Sequence, residues 1–206
     1  MNVIEYNFEH YNTLAPNLYR KEKYRLQVEL LKLQEDAIIN KRKIAVCFEG
    51  RDTAGKSSTI NFFSEHLIPS NFKYVHLGIP TDEEKANWFE RWEKHLPKKG
   101  ELVLFDRSWY TRALIEPTLG YCTKTEYKKF MNKVNKWEKN LIKSDIELIK
   151  FYFSIDQDQQ KRRLSARKNS KLKYWKLSKS DQMMVDKWDL FTLYKNQMFD
   201  LSLIHI

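Results

Sequence analysis

A chain of 206 residues and 25.0 kDa, 42% hydrophobic and 14% aromatic, is long and apolar enough to bury the core of one domain, which excludes global disorder. No run approaches the ~20 apolar residues of a membrane span, Met1-Asn2-Val3-Ile4-Glu5 leads into no secretory signal, and Cys47 and Cys122 are too few for a disulfide framework, so a cytoplasmic protein without membrane contact is expected. Lys plus Arg 37 against Asp plus Glu 27 leaves +10, a surplus that favours a polyanion such as a nucleotide, nucleic acid or phosphate polymer, though it also serves solubility.

In chain order, Leu26, Leu30, Leu33 and Ala37 recur at helical spacing within a first helix predicted from Leu18 to Ile39. Ile44 to Phe48 is a continuous apolar run, as expected of a strand buried on both faces. After Gly50 to Ser57 comes an amphipathic stretch to about Leu67, a second strand at Tyr74 to Leu77, and a helix from Glu83 to Leu96. Pro97 to Gly100 is a turn, and Leu102 to Phe105 a third strand ending at Asp106. Lys124 to Lys143 is a helix and Ile146 to Ile155 a fourth strand. Two further helices, Asp156 to Arg167 and Asp181 to Asp200, flank a basic connector. Short apolar strands alternating with helices predict an α/β fold, a parallel sheet with helices on both faces. Trp88, Trp92, Trp137 and Trp188 are expected in the core; Trp109 and Tyr110 either join them or line a pocket for a nucleotide base.

Gly50-Arg51-Asp52-Thr53-Ala54-Gly55-Lys56-Ser57 fits G-x-x-x-x-G-K-[ST] between a predicted buried strand and a predicted helix, the setting that gives this motif its meaning. The turn lets successive backbone N–H groups of Gly50 to Ser58 face one anion, and the helix adds the positive end of its dipole. Lys56 is placed to reach terminal phosphates, and Ser57 to offer its hydroxyl to Mg²⁺. Asp106, at the carboxyl end of a neighbouring parallel strand, is a candidate metal ligand. Asp52, an acid inside an anion-binding loop, needs a cation between itself and phosphate and is the second metal candidate. Arg107 and Arg112 follow Asp106 closely enough to contact phosphoryl oxygens. Nine basic residues and no acid lie between Lys161 and Ser180. Arg163 and Arg167 share a helical face there, which reads as a lid closing over charged phosphates.

Phe48 to Lys56, Leu104-Phe105-Asp106-Arg107-Ser108-Trp109-Tyr110 and Tyr174-Trp175-Lys176-Leu177-Ser178 together resemble polyphosphate kinase family 2, and the resemblance runs from about Tyr19 to Tyr194. It implies one three-layer P-loop kinase domain over residues 1–206 with a helical lid at about 156–180. It also implies phosphoryl transfer between inorganic polyphosphate and a nucleotide (ADP or GDP, AMP or GMP), dependent on Mg²⁺ with Mn²⁺ as a substitute. Asp52 and Asp106 would then hold the metal, and Lys56, Arg107 and Arg112 would contact the phosphates in transfer. Arg162, Arg163, Arg167, Lys173 and Lys176 would belong to the lid and polymer path. The family's assemblies imply a homodimer or homotetramer, and no nucleic-acid partner is expected. Thr53, Ser57, Ser58 and Thr111 depart from the family's usual Ala, Gly, Gly and Asn. The family's basic C-terminal segment is expected to be missing after residue 200, where Leu201-Ser202-Leu203-Ile204-His205-Ile206 is apolar instead. Rival readings are an ATP-dependent nucleoside monophosphate or deoxynucleoside kinase, and a basic nucleotide- or nucleic-acid-binding module.

Overall fold

Four parallel strands, β1 (Lys43–Gly50), β2 (Phe72–Val75), β3 (Glu101–Asp106) and β4 (Ile146–Phe153), form one sheet in the order β2-β3-β1-β4. The structure is a computed structural model that describes residues 15–201; the residues read for a secretory signal and the apolar end at 202–206 lie outside the described residues. The nine helices among the described residues are α1 (Pro16–Ile39), α2 (Lys56–Ser64), α3 (Asp82–Ala86), α4 (Trp88–Glu93), α5 (Ile115–Leu119), α6 (Lys124–Lys143), α7 (Gln157–Lys168), α8 (Lys179–Asp186) and α9 (Trp188–Leu201).

The two central strands, β1 and β3, are apolar on both faces because both are covered. Ile44, Val46 and Phe48 of β1, with Leu102 and Leu104 of β3, pack with Ala37 of α1 and Ile60 of α2. Ala45 and Cys47, with Val103 and Phe105, pack with Trp92, Phe130, Val134 and Phe191. The period-2 alternation of a strand thus divides each run between two cores, which makes three layers. Trp88, Trp92 and Trp109 are buried. Trp109 and Tyr110 are both fully buried, and the Trp109 indole N–H donates to Glu138 Oε1 at 2.8 Å, which removes the base-pocket alternative for this pair. Trp137 and Trp188 are only half-buried.

The buried stripe of α1 is offset from the leucine pattern. Leu26 is 52% exposed, whereas Gln27 and Gln34 are buried beside Ala37. Both amides are occupied: Gln34 Nε2 donates to Ile68 O at 3.0 Å and its Oε1 accepts from Ile68 N at 2.7 Å, while Gln27 Nε2 donates to Phe62 O at 3.0 Å. A satisfied amide is tolerated in a core position; Gln27 clips α1 to α2, and Gln34 clips it to the connection between α2 and β2.

Other boundaries also move. The second strand is Phe72–Val75, because Val75 pairs opposite Phe105 at the end of β3. The helix expected over 83–96 breaks at Asn87 (φ −111°, ψ 54°), and that over 181–200 at Lys187 (φ −99°, ψ 31°). β4 ends at Phe153 because its partner there, Gly50, is the last residue of β1. The 3₁₀ turn Trp109–Arg112 and helix α5 were not anticipated. Capping boxes at Thr81/Glu84, Thr123/Glu126 and Ser178/Asp181 start α3, α6 and α8. No helix of the described residues is long and apolar enough to cross a membrane. Cys47 and Cys122 are both free thiols.

Candidate active site

The carboxyl ends of β1 and β3 lie side by side, with Phe48 opposite Asp106, so the phosphate loop opens beside the aspartate. Gly50 (φ 133°) is required at the base of the loop, since a Cβ there would lie 2.3 Å from the Phe153 carbonyl oxygen. Gly55 (φ 113°) then turns the chain into α2. Thr53 (φ 63°) and Arg107 (φ 69°) are held in the left-handed region, costly for residues with a Cβ and common where function dictates geometry. Arg107 N donates to Phe48 O at 3.1 Å, which ties the two strand ends together.

Lys56 is buried and donates from Nζ to Gly50 O at 2.9 Å and Arg51 O at 2.8 Å. Burial, assisted by the Arg107 guanidinium, pushes its pKa down to about 8. Asp106, 4% exposed, accepts at Oδ2 from Ser57 Oγ at 2.6 Å and from Tyr74 OH at 3.0 Å. Burial and the Asp106 carboxylate push the Tyr74 phenol up, so it remains a donor. Asp52 forms an ion pair with Arg107. Burial alone would raise the Asp52 carboxyl, but Arg107 and Lys56 outweigh it and hold it below its ordinary value. Glu49 accepts at Oε1 from Ser108 N at 2.5 Å and Ser108 Oγ at 2.7 Å, with burial raising its pKa.

A cleft of about 720 Å³ opens beside this centre. Its lining includes Asp52, Arg107 and Thr111, Lys85 and Arg91, and Arg167 and Lys176 of the basic segment. Arg91 donates to Gly78 O at 2.6 Å, which fixes its position. Arg162 and Lys173 are exposed, as are Ser57 and Ser58 in the first turn of α2, while Ala54 is half-buried in the loop.

Three sequence candidates sit elsewhere than expected. Arg112 pairs with Glu116 and Glu126, lies 4.1 Å from the Trp88 ring centroid, and lines a separate cavity of about 390 Å³. Its charge is already balanced in a buried setting, so its side chain is not among those gathered at the main cleft. Arg51 keeps its backbone in the loop, but its guanidinium stacks 3.5 Å from the Trp188 centroid and donates to Thr192 Oγ1 at 2.5 Å. Arg163 donates to the Thr53 carbonyl at 2.9 Å, so it faces the loop. Sequence reasoning missed Glu49, Tyr74, Arg91, Ser108 and Gln160. Glu49 had a signal, an acid closing an apolar strand next to the loop; the rest are brought in by tertiary contacts alone.

No cluster of three or more His, Cys, Asp or Glu gathers as a metal cage among the described residues. Mg²⁺ does not need one: it takes one or two carboxylates, keeps waters and completes its shell with substrate phosphates. The Asp106 carboxylate and Ser57 hydroxyl, 2.6 Å apart beside the loop, are hard oxygen donors that fit such an ion.

A parallel sheet whose first strand feeds a phosphate loop, with an aspartate at the tip of the adjacent strand, defines a P-loop kinase fold. The Polyphosphate kinase 2 (PPK2) family pattern matches residues 13–205, and the chain belongs to that family. It is 42% identical over 94% of its length to a GDP-polyphosphate phosphotransferase of Pseudomonas aeruginosa, covering 54% of that protein. It is 46% identical over 88% of its length to NDP-polyphosphate phosphotransferase 2 of Ruegeria pomeroyi, covering 53% of it, and 40% identical over 91% to an ADP-polyphosphate phosphotransferase of P. aeruginosa, covering 62%. The chain thus spans between about half and two thirds of these curated relatives. The crystal structure of polyphosphate kinase 2 from Arthrobacter aurescens superposes with a TM-score of 0.85 at 24% identity, covering 97% of this chain and 76% of that one, and shares the fold.

Proposed function

We propose that this chain carries the transfer centre of an enzyme that moves a phosphoryl group between inorganic polyphosphate and a nucleoside di- or monophosphate. The observation that carries the reading is the convergence of cations from three separate segments, Lys85 and Arg91, Arg107, and Arg167 with Lys176, on one cleft beside the phosphate loop. Such a site neutralises two polyanions at once. The relatives' names supply the substrate class.

The reaction exchanges one phosphoanhydride P–O bond for another, so it calls for alignment and charge neutralisation, with no covalent intermediate on the protein. Loop N–H groups and Lys56 would hold the donor's terminal phosphates. Lys56 would exchange the carbonyls of Gly50 and Arg51 for phosphoryl oxygens as the donor arrives. Arg107, oriented by Asp52, would lie along the transferring group. Asp106 and Ser57, with Asp52 nearby, would hold Mg²⁺ or Mn²⁺, which when bound would supply positive charge to offset that of the phosphates. Arg162, Arg167, Lys173 and Lys176 would guide the polymer and, on closing, exclude water.

The test supplies polyphosphate as sole donor with Mg²⁺ and ADP, GDP, AMP or GMP, and follows the phosphorylated product. Product formation from the polymer is expected. Transfer that instead requires ATP with a nucleoside or its monophosphate would replace this reading with the nucleoside-kinase one. Salt-sensitive binding to nucleic acid with no transfer would replace it with the binding module.

A further inference from the structure

Four consecutive carbonyls of the phosphate loop each accept from a side chain. Lys56 takes those of Gly50 and Arg51, Gln160 Nε2 donates to Asp52 O at 3.0 Å, and Arg163 Nη1 donates to Thr53 O at 2.9 Å. Gln160 and Arg163 stand three residues apart in α7 and therefore share a face. In a trans peptide the N–H points opposite to its C=O. Drawing the Asp52 carbonyl toward α7 therefore turns the Thr53 N–H away from α7.

The bonded segment is also the strained one. Thr53 is β-branched and left-handed at φ 63°, a conformation that persists only where its surroundings impose it. Gln160 is fully buried, and its amide oxygen is buried without a hydrogen-bond partner. An apolar side chain of that size would avoid the orphaned oxygen; the bond to Asp52 O is what the glutamine adds. Arg163, though mostly exposed, spends a donor on the loop backbone rather than leaving its whole guanidinium toward solvent.

We propose that Gln160 and Arg163 are positioning residues of the phosphate loop, so that α7 sets the loop's shape and Arg163 acts on the loop rather than on the polymer path. The consequence for rate rests on the transfer reaction above; the claim about loop shape does not. The full chain is compared with Q160M, which keeps the volume and removes the donor, and with R163A. Steady-state transfer is measured against polyphosphate over a range of salt, and amide hydrogen exchange is followed over residues 52–57. Loop positioning predicts that each variant lowers kcat about 10- to 100-fold, leaves KM for the polymer and its salt dependence unchanged, and speeds exchange in the loop. A raised KM with a flatter salt dependence in R163A, at unchanged kcat and loop exchange, overturns the proposal in favour of the polymer role. Wild-type values in every readout overturn it too. If Q160M does not fold, R163A, mostly exposed, decides alone. If the wild-type chain transfers nothing from polyphosphate, the functional reading fails, and loop exchange in the variants still decides whether α7 shapes the loop.

Discussion

Lys56 is held by two loop carbonyls, those of Gly50 and Arg51. Buried between two loop carbonyls with a pKa near 8, it is only partly charged in mildly alkaline solution. Between about 8 and its ordinary value of 10.5 the unfolded chain binds a proton that the folded chain does not, so this group makes stability rise with pH across that window. K56M should flatten the rise, read from denaturant midpoints at the two ends of the window. On the proposed function, an arriving polyphosphate would favour the charged amine. Binding above pH 8 should therefore take up about one proton, measurable by titration calorimetry in buffers of different ionisation enthalpy; K56M should abolish that uptake and lower kcat by about 100-fold or more. Asp106 is a different case, because its Oδ2 already accepts from Ser57 and Tyr74. D106N keeps an acceptor and loses the charge. Transfer should fall by at least about 100-fold while the melting temperature stays within a few degrees.

At the scale of elements, the loop depends on where β1 and β4 meet. Gly50 pairs with Phe153, and any Cβ there strikes a backbone carbonyl that cannot move without opening the sheet. G50A should cost about 3 kcal/mol or more in denaturant unfolding, beyond the usual range for a surface change. S178A tests the junction behind the basic segment, where Ser178 and Asp181 form a capping box. Losing the cap should cost about 1 kcal/mol. The central strands β1 and β3 were legible because burial on both faces leaves continuous apolar runs, and α6 because its pattern and its Thr123/Glu126 cap agree. The breaks at Asn87 and Lys187 were not, since neither is marked by proline or glycine; Trp88, just past the first break, donates its indole N–H to Trp109 O, a contact fixed by tertiary packing. The offset of α1 was hidden for the same reason: glutamines read as surface residues until Ile68 supplies both partners of Gln34, and Phe62 and Glu65 those of Gln27.

For the whole molecule, the +10 charge is concentrated by folding as well as by sequence, since Lys85 and Arg91 join Arg107, Arg167 and Lys176 at one cleft. On the proposed function, KM for polyphosphate should therefore rise steeply with ionic strength, and K176A should flatten that dependence by about one unit of log–log slope. The amino-acid order was sufficient for the alternation of strands and helices, for the phosphate loop, and for Asp106 at a strand tip, because periodicity and short motifs are local properties of the chain. Which charges remain available is not local. Arg107 and Arg112 are equally basic and five residues apart, yet Arg107 is turned by its left-handed backbone onto Asp52 at the cleft, while Arg112 is neutralised by Glu116 and Glu126 on the far side of a 3₁₀ turn. Glu116 is a local partner four residues on, but Glu126 and Asp52 arrive from elsewhere in the chain, and the packing of those elements decides which guanidinium lines the cleft.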